Sequence, residues 1–213
     1  MTAPPPTLPP KRTLIQRLLL HGAALRTLVV RTRVRWWQKV ARSGPPTWDE
    51  RNIIIARFIP EGSSVLDLGA GAQTLRKHLK PGCVYQPCDI VKSSPDVLFC
   101  DFNRDIYPDP GRRFDVAVCS GLLEYVRKPR QFIPRIAAMA DRLLLTYNPI
   151  QRNESKIERL AKNWVNHLSQ EQLEQIFNES GLKWKIINRR EPNEMMYEIT
   201  SSGARSSEEK SAG

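Results

Sequence analysis

The run Ser64-Val65-Leu66-Asp67-Leu68-Gly69-Ala70-Gly71 constrains this chain more than any other stretch of it. A short apolar segment ends in an acid and two glycines one residue apart. An amphipathic segment follows, with Leu75 and Leu79 four apart among Arg76, Lys77 and Lys80. That pattern predicts a buried strand, a tight turn and a helix. Glycine lets the backbone turn sharply and lets a ligand approach closely. A helix that follows offers unpaired N–H groups and a positive dipole end.

Two ligand classes use such a turn. Dinucleotide enzymes seat a pyrophosphate on the helix N-terminus and show a third glycine. Here position 74 is Thr, so the pattern G-x-G-x-x-G fails. A carboxylate two residues before the first glycine suits a ligand with a cationic group. The stretch resembles motif I of class I S-adenosylmethionine (SAM)-dependent methyltransferases, in which Asp-Leu-Gly-x-Gly cradles the methionine part of the cofactor. On that resemblance Asp67, Gly69, Ala70 and Gly71 belong to the cofactor site.

The positions downstream fall in the order that such a fold requires. Cys83 to Cys88 reads as a second strand ending at Asp89. The separation from Gly69 suits a strand–turn–helix–strand unit that brings a carboxylate to the neighbouring strand end. There Asp89, with Ile90 beside it, can accept hydrogen bonds from ribose hydroxyls. Asp96 to Cys100 is a third, short strand, and Asp101-Phe102-Asn103 after it is similar to the family's adenine-binding turn. The bland reading of that turn is a core Phe102 and a turn-capping Asp101. Phe114 to Cys119 is a fourth strand, and Ser120 to Val126 resembles the family's strand-four signature with Tyr125 in place of the usual His. Ser120, Gly121 and Leu122 are therefore expected near the sulfonium, and one candidate base is missing.

A helix is expected over Pro129–Ala140 and a fifth strand over Arg142–Tyr147. Ser169-x-x-Gln172 is a capping box that opens a helix ended by Gly181. Lys183–Arg190 and Glu194–Thr200 read as a final antiparallel pair. The resemblance covers residues 47–200 and implies an α/β fold: a seven-stranded Rossmann-like sheet with helices on both faces. Before it, Thr47-x-x-Glu50 reads as a capping box for a helix bearing Trp48, Ile54, Ile55 and Phe58 and ended by Pro60. In the family such a helix helps to cover the cofactor.

Residues 1–46 form the extension: five prolines within 1–10, then apolar residues near helical spacing from Thr13 to Val40, closing on Trp36-Trp37. Residues 1–51 carry ten Lys/Arg against Asp49 and Glu50, so most of the net charge of +11 precedes the catalytic region. The near-balance of the remainder disfavours nucleic acid as the substrate. Arg17, Arg26 and Arg31 interrupt the apolar run well short of the roughly 20 residues a transmembrane helix needs, and no cleavage site follows for a signal peptide. Two readings stand for residues 13–42, ahead of a third in which arginines mixed with aromatics track nucleic-acid phosphates and stack on bases. A basic amphipathic helix can lie on an anionic membrane surface. Equally, an N-terminal helix can pack on the domain or a partner and keep its charges in water. Residues 201–213 read as a disordered tail. Cys83, Cys88, Cys100 and Cys119 show neither disulfide nor zinc spacing, and free thiols fit a reducing cytoplasm.

The resemblance implies in-line displacement at the sulfonium methyl, with SAM as cofactor and a small-molecule, lipid-linked or glycan acceptor. Tyr125, Tyr147 and His167 are the candidates for a base or acceptor contact. Two rivals stand beside this reading. One is a catalytically degenerate adaptor of the same fold, localised by its basic segment; the other is a nicotinamide-dependent oxidoreductase.

Overall fold

Strand four, Phe114–Cys119, shows why the sheet must be covered on both sides. Side chains alternate along a strand, and here both sets are buried apart from the half-buried Asp115. Val116 and Val118 join Val65, Leu144, Ile55 and Ile59 in one apolar cluster. Ala117 and Cys119 join Leu66, Leu68, Leu143, Leu145, Ile133 and Phe177 in a larger one on the other face. Continuous apolar runs of this kind belong to parallel strands with helices on both sides.

The computed structural model describes residues 13–30, 34–43, 45–152, 154–190 and 193–201. The expected proline-rich leader and nearly all of the expected tail lie outside them. Three helices come first: α1 (Leu14–Val29), α2 (Val34–Ser43) and α3 (Pro46–Ala56). The sheet elements then follow as β1 (Ser64–Leu68), β2 (Val84–Asp89), β3 (Leu98–Phe99), β4 (Phe114–Cys119), α4 (Pro129–Ala137) and β5 (Ala140–Tyr147). The chain closes with α5 (Lys156–Ala161), α6 (Gln170–Glu179), β6 (Leu182–Arg190) and β7 (Glu194–Ser201). The seven strands are ordered β3-β2-β1-β4-β5-β7-β6, with β7 antiparallel to both its neighbours and the pairings among β1 to β5 parallel. The expected seven-stranded α/β sheet is the observed one.

Strand order reverses between β1 and β4, which are neighbours in space but not in sequence. Connections leave the two strands in opposite directions there and open a crevice at their carboxyl ends.

Three local expectations need correction. The segment after the glycine turn is a five-residue 3-10 helix, Thr74–His78, and not an α-helix. Pro81-Gly82 and the start of β2 at Val84 leave no room for three α-helical turns. Helix α3 has no capping box: it starts with Pro46 at its first position, so Thr47 lies inside the first turn, and it ends at Ala56 before Pro60. Proline is pre-set for that first position and lacks the N–H that a cap would satisfy. Finally, the apolar segment 13–40 is two helices, because Val30 takes an extended conformation that ends α1. The capping box at Ser169 is present as read.

Candidate active site

Each strand that ends at the crevice delivers one acid or one glycine turn. Asp67 sits on β1 one residue before its end, Asp89 ends β2, Asp101 follows β3, and Ser120-Gly121-Leu122 follows β4. All three aspartates line one crevice enclosing about 940 Å³, part of it open to solvent. Every residue predicted on the cofactor side lines it: Asp67, Gly69, Ala70, Gly71, Asp89, Ile90, Asp101, Phe102, Ser120, Gly121 and Leu122.

The turn after β1 is held by its neighbour strand. The N–H groups of Gly69 and Ala70 donate to the carbonyl of Cys88 at 2.8 and 3.1 Å. Gly71 N donates to Asp89 Oδ2 at 2.9 Å, and Val91 N donates to Asp89 Oδ1 at 2.8 Å. A carboxylate offers about four lone-pair sites, so Asp89 clamps the turn and keeps acceptor capacity toward the crevice. Gly71 has φ +51°, and a Cβ there would stand 3.0 Å from the Trp48 ring. A side chain there would crowd the Trp48 ring in a backbone conformation that favours glycine.

Asp67 is buried and accepts a hydrogen bond from the Tyr85 hydroxyl at 2.6 Å. Burial pushes its pKa up to about 7; the Tyr85 hydrogen bond and the Arg51 charge oppose the rise, and the Asp89 charge adds to it. Burial likewise raises Asp89, against the pull of its backbone donors. Ionised acids in such places are stabilised by a cation.

The third acid caps a turn, as the bland reading has it, and lines the crevice as well. Asp101 caps the turn Phe102–Arg104 through Asn103 N at 3.2 Å and also lines the crevice. Phe102 packs on Tyr107 and Phe132, with ring centroids 5.3 and 4.8 Å away, while part of it faces the crevice.

The resemblance implies a covering helix at α3, but neither Arg51 and Asn52 on it nor the contribution of α2 is among the residues expected at the site. Trp37 and Ala41 of α2 and Trp48, Arg51 and Asn52 of α3 line the crevice. Arg51 is its one cation among the described residues. Its Nε donates to Ser120 Oγ at 2.8 Å and its Nη1 to Glu194 Oε1 at 2.9 Å. Ser120 Oγ passes a hydrogen bond to Asn52 Oδ1 at 3.2 Å, and Asn52 Nδ2 donates to Thr74 Oγ1 at 2.6 Å. This chain ties α3 to the turns after β1 and β4. The helical spacing of Trp48, Arg51, Asn52 and Ile55 was the available signal, because it puts an arginine on the buried face.

The acceptor-side candidates part company. Tyr125 lines the crevice, with the Trp37 ring edge-on at 4.6 Å and Trp164 Nε1 donating to its hydroxyl at 3.3 Å. Burial pushes its pKa up to about 12. Tyr147 and His167 do not line the crevice. Tyr147 is fully buried; its hydroxyl donates to Asn166 and accepts from Leu168 N at 3.0 Å, which makes it a core tether. Burial first, and then the Arg159 and Lys156 charges, lower the pKa of His167.

All four cysteines are free thiols. Among the described residues no cluster of His, Cys, Asp and Glu could hold a metal, and no helix is long and apolar enough to cross a membrane.

Comparison with known proteins agrees with the geometry. No curated protein sequence matches the chain. Among solved structures it is similar to CalO1, a methyltransferase in calicheamicin biosynthesis bound to S-adenosylhomocysteine (SAH): 16% identity over 72% of this chain and 54% of that one, TM-score 0.56. Human N-acetylserotonin methyltransferase in complex with SAM gives 15% identity over 78% and 55%, TM-score 0.57. Burkholderia thailandensis 1,6-didemethyltoxoflavin-N1-methyltransferase, with 1,6-didemethyltoxoflavin and SAH bound, gives 15% over 92% and 94%, TM-score 0.52. The chain thus spans about half the length of the first two and nearly all of the third. At these identities the likeness shows the fold. The family model described as "Methyltransferase domain" matches residues 48–185, from the first turn of α3 into β6. Sheet order, acid-lined crevice and family match agree: the chain belongs to the class I SAM-dependent methyltransferase domain family.

Proposed function

We propose that this chain transfers the methyl group of SAM to a small-molecule, lipid-linked or glycan acceptor whose nucleophilic atom carries a free lone pair at neutral pH. The observation that carries the reading is the distribution of charge in the crevice. Three carboxylates stand at successive strand ends and one guanidinium faces them from α3. SAM carries an ammonium, a carboxylate, a sulfonium, a ribose diol and an adenine, and each finds a complement. Asp67 suits the ammonium, Arg51 the carboxylate, and Asp89 the diol through its remaining lone pairs. Asp101 and the face of Phe102 suit the adenine. Gly69, Ala70 and Gly71 leave the room that a side chain would fill.

When bound, SAM supplies an already activated methyl, which leaves sulfur as the acceptor's lone pair forms the new bond. The chain's residues then need mainly to align the two reactants and exclude water. Ser120 to Leu122, held by Arg51 Nε on Ser120 and by Thr146 Oγ1 on Gly121 N at 2.8 Å, form the floor beside the reacting atoms. Trp37 and Tyr125 form an aromatic wall for the acceptor. Among the described lining residues there is no histidine, and burial pushes the Tyr125 hydroxyl up to a pKa of about 12, far from where a base would work. This supports an acceptor that needs no proton removed before attack.

The same arrangement disfavours nicotinamide chemistry, since a pyrophosphate would meet the Asp67 and Asp89 carboxylates. Calorimetry and thermal shift of the full chain with SAM, SAH and NADH test the assignment. SAM and SAH should bind and raise Tm, and NADH should not. Binding of NADH alone would overturn it, and tight binding of SAM without any transfer from methyl-labelled SAM to organic extracts would favour the adaptor reading.

A further inference from the structure

The helix α1 is attached to the domain by one side only. Ala24 and Thr27 are buried, with Leu20 and Ala23 half-buried, a spacing of three, four and seven that marks one helical face. This face packs on α5. Thr27 Oγ1 donates to Asn163 Oδ1 at 3.3 Å, and Arg127 Nη2 donates to the Thr27 carbonyl at 2.9 Å. The opposite side is apolar and open to solvent. Leu14, Leu18, Leu25 and Val29, at offsets of four, eleven and fifteen, form a stripe and are 73, 64, 63 and 73% exposed. Arg17 and Arg26 flank the stripe, one on each side. An exposed apolar stripe running the length of a helix, rather than scattered single residues, marks a binding face.

The occupant is identified by charge and by elimination. The stretches of chain outside the described residues hold too little to cover the stripe: 1–12 contains Met1 and Leu8 as its only large non-proline apolar residues, and 202–213 contains none. A second copy would bring its own Arg17 and Arg26 against this one. From residue 1 to residue 48 the sequence has nine Lys/Arg and no acid. A leucine stripe with cations at its rims and more cations after it suits a helix lying in the headgroup plane of an anionic bilayer. At 16 residues, about 24 Å, α1 lies on such a surface and does not cross it.

We infer that the exposed face of α1 docks this protein on an anionic lipid surface. Four residues separate α1 from α2, whose Trp37 and Ala41 line the crevice. A docked α1 therefore keeps that wall of the active site within one short connection of the bilayer, where a lipid-linked acceptor resides.

Co-sedimentation of the full chain with vesicles, without cofactor, tests the docking independently of methyl transfer. Vesicles of phosphatidylcholine containing about one third phosphatidylglycerol should bind the chain, and added salt should release it. The double variant Leu18→Glu/Leu25→Glu should bind at least about tenfold more weakly, with Tm and SAH affinity unchanged, because both side chains are exposed. Arg17→Gln/Arg26→Gln should lose mainly the preference for anionic over neutral vesicles. No binding to the anionic vesicles would overturn the inference, as would equal binding by the glutamate variant. So would a dimer of the native chain in sedimentation equilibrium that this variant dissolves, since a second copy would then own the face. Failure on any of these counts leaves the SAM assignment untouched.

Discussion

The backbone N–H of Gly71 donates to Oδ2 of Asp89 at 2.9 Å, so the carboxylate at the end of β2 also clamps the glycine turn after β1. Removing it therefore does two things. Asp89→Ala deletes the acceptor proposed for the ribose hydroxyls and leaves Gly71 N and Val91 N without their partner. Loss of charge-assisted hydrogen bonds of this kind costs about 1.5–3 kcal/mol in SAM affinity. Calorimetry with SAM reads it directly, and unchanged affinity would refute the ribose assignment.

Asp67 makes the site pH-dependent in a definite direction. Its folded pKa, about 7, lies above the ordinary 3.8, so the cofactor-free fold favours the protonated acid. Such a group costs stability progressively as pH rises between the two values. A ligand ammonium favours the ionised form, so binding expels a proton. SAM affinity should rise about fivefold from pH 6 to pH 7, a range in which a free α-amino group stays largely protonated. Titration calorimetry in buffers of different ionisation heat measures the proton released. Asp67→Asn should flatten the pH dependence and raise Tm more at pH 8 than at pH 5.

How much of this was legible beforehand follows from the range of the interactions involved. The acids and glycines at strand ends are read from local pattern, because the strand–turn unit itself decides which edge they face; Asp67, Asp89 and Asp101 meet for that reason. For Arg51 the helical spacing shows only which face it lies on; what ties that face to the site, Ser120 and Glu194, lies 69 and 143 residues away, beyond the reach of local pattern. Tyr147 misled because it ends β5 at the ligand edge, yet its ring turns into the core toward Asn166 and Arg159. The spacing of Leu75 and Leu79 fits an α-helix equally well, and only Pro81, which cuts the segment off, limits it to the short 3-10 helix Thr74–His78.

Gly121 and Arg51 are coupled through space. Gly121 has φ +60°, and a Cβ there would stand 2.4–2.6 Å from the Arg51 guanidinium. Gly121→Ala must displace the arginine or shift the turn, on top of about 1–3 kcal/mol for a non-glycine residue at this φ. It should lower Tm and weaken SAM binding together. Arg51→Met should do likewise, since it leaves Glu194, 5% exposed in its side chain, with Arg190 alone at 3.0 Å. Arg51→Lys should recover part of the Tm but less of the affinity, because an ammonium cannot reproduce the fork that spans Ser120 and Glu194. Full recovery by lysine would mean that only the charge matters.

Tyr125 separates a wall from a base. Burial holds its hydroxyl near a pKa of 12, and the Glu124 charge behind it pushes the same way, so little phenolate exists at neutral pH. Its hydroxyl oxygen already accepts from Trp164, and its ring carries the Trp37 contact. Tyr125→Phe keeps the ring and should leave methyl transfer, measured with methyl-labelled SAM and an organic extract as acceptor source, within about threefold of the native rate. Its pH profile should be unchanged. General bases contribute about 10²–10⁴-fold, so a loss of that order would make Tyr125 the base and return proton-bearing acceptors to consideration. Trp37→Ala, by contrast, opens the aromatic wall from the α2 side. It should weaken acceptor capture, seen as a raised KM, while SAM affinity holds, because the cofactor acids stand on the strands opposite.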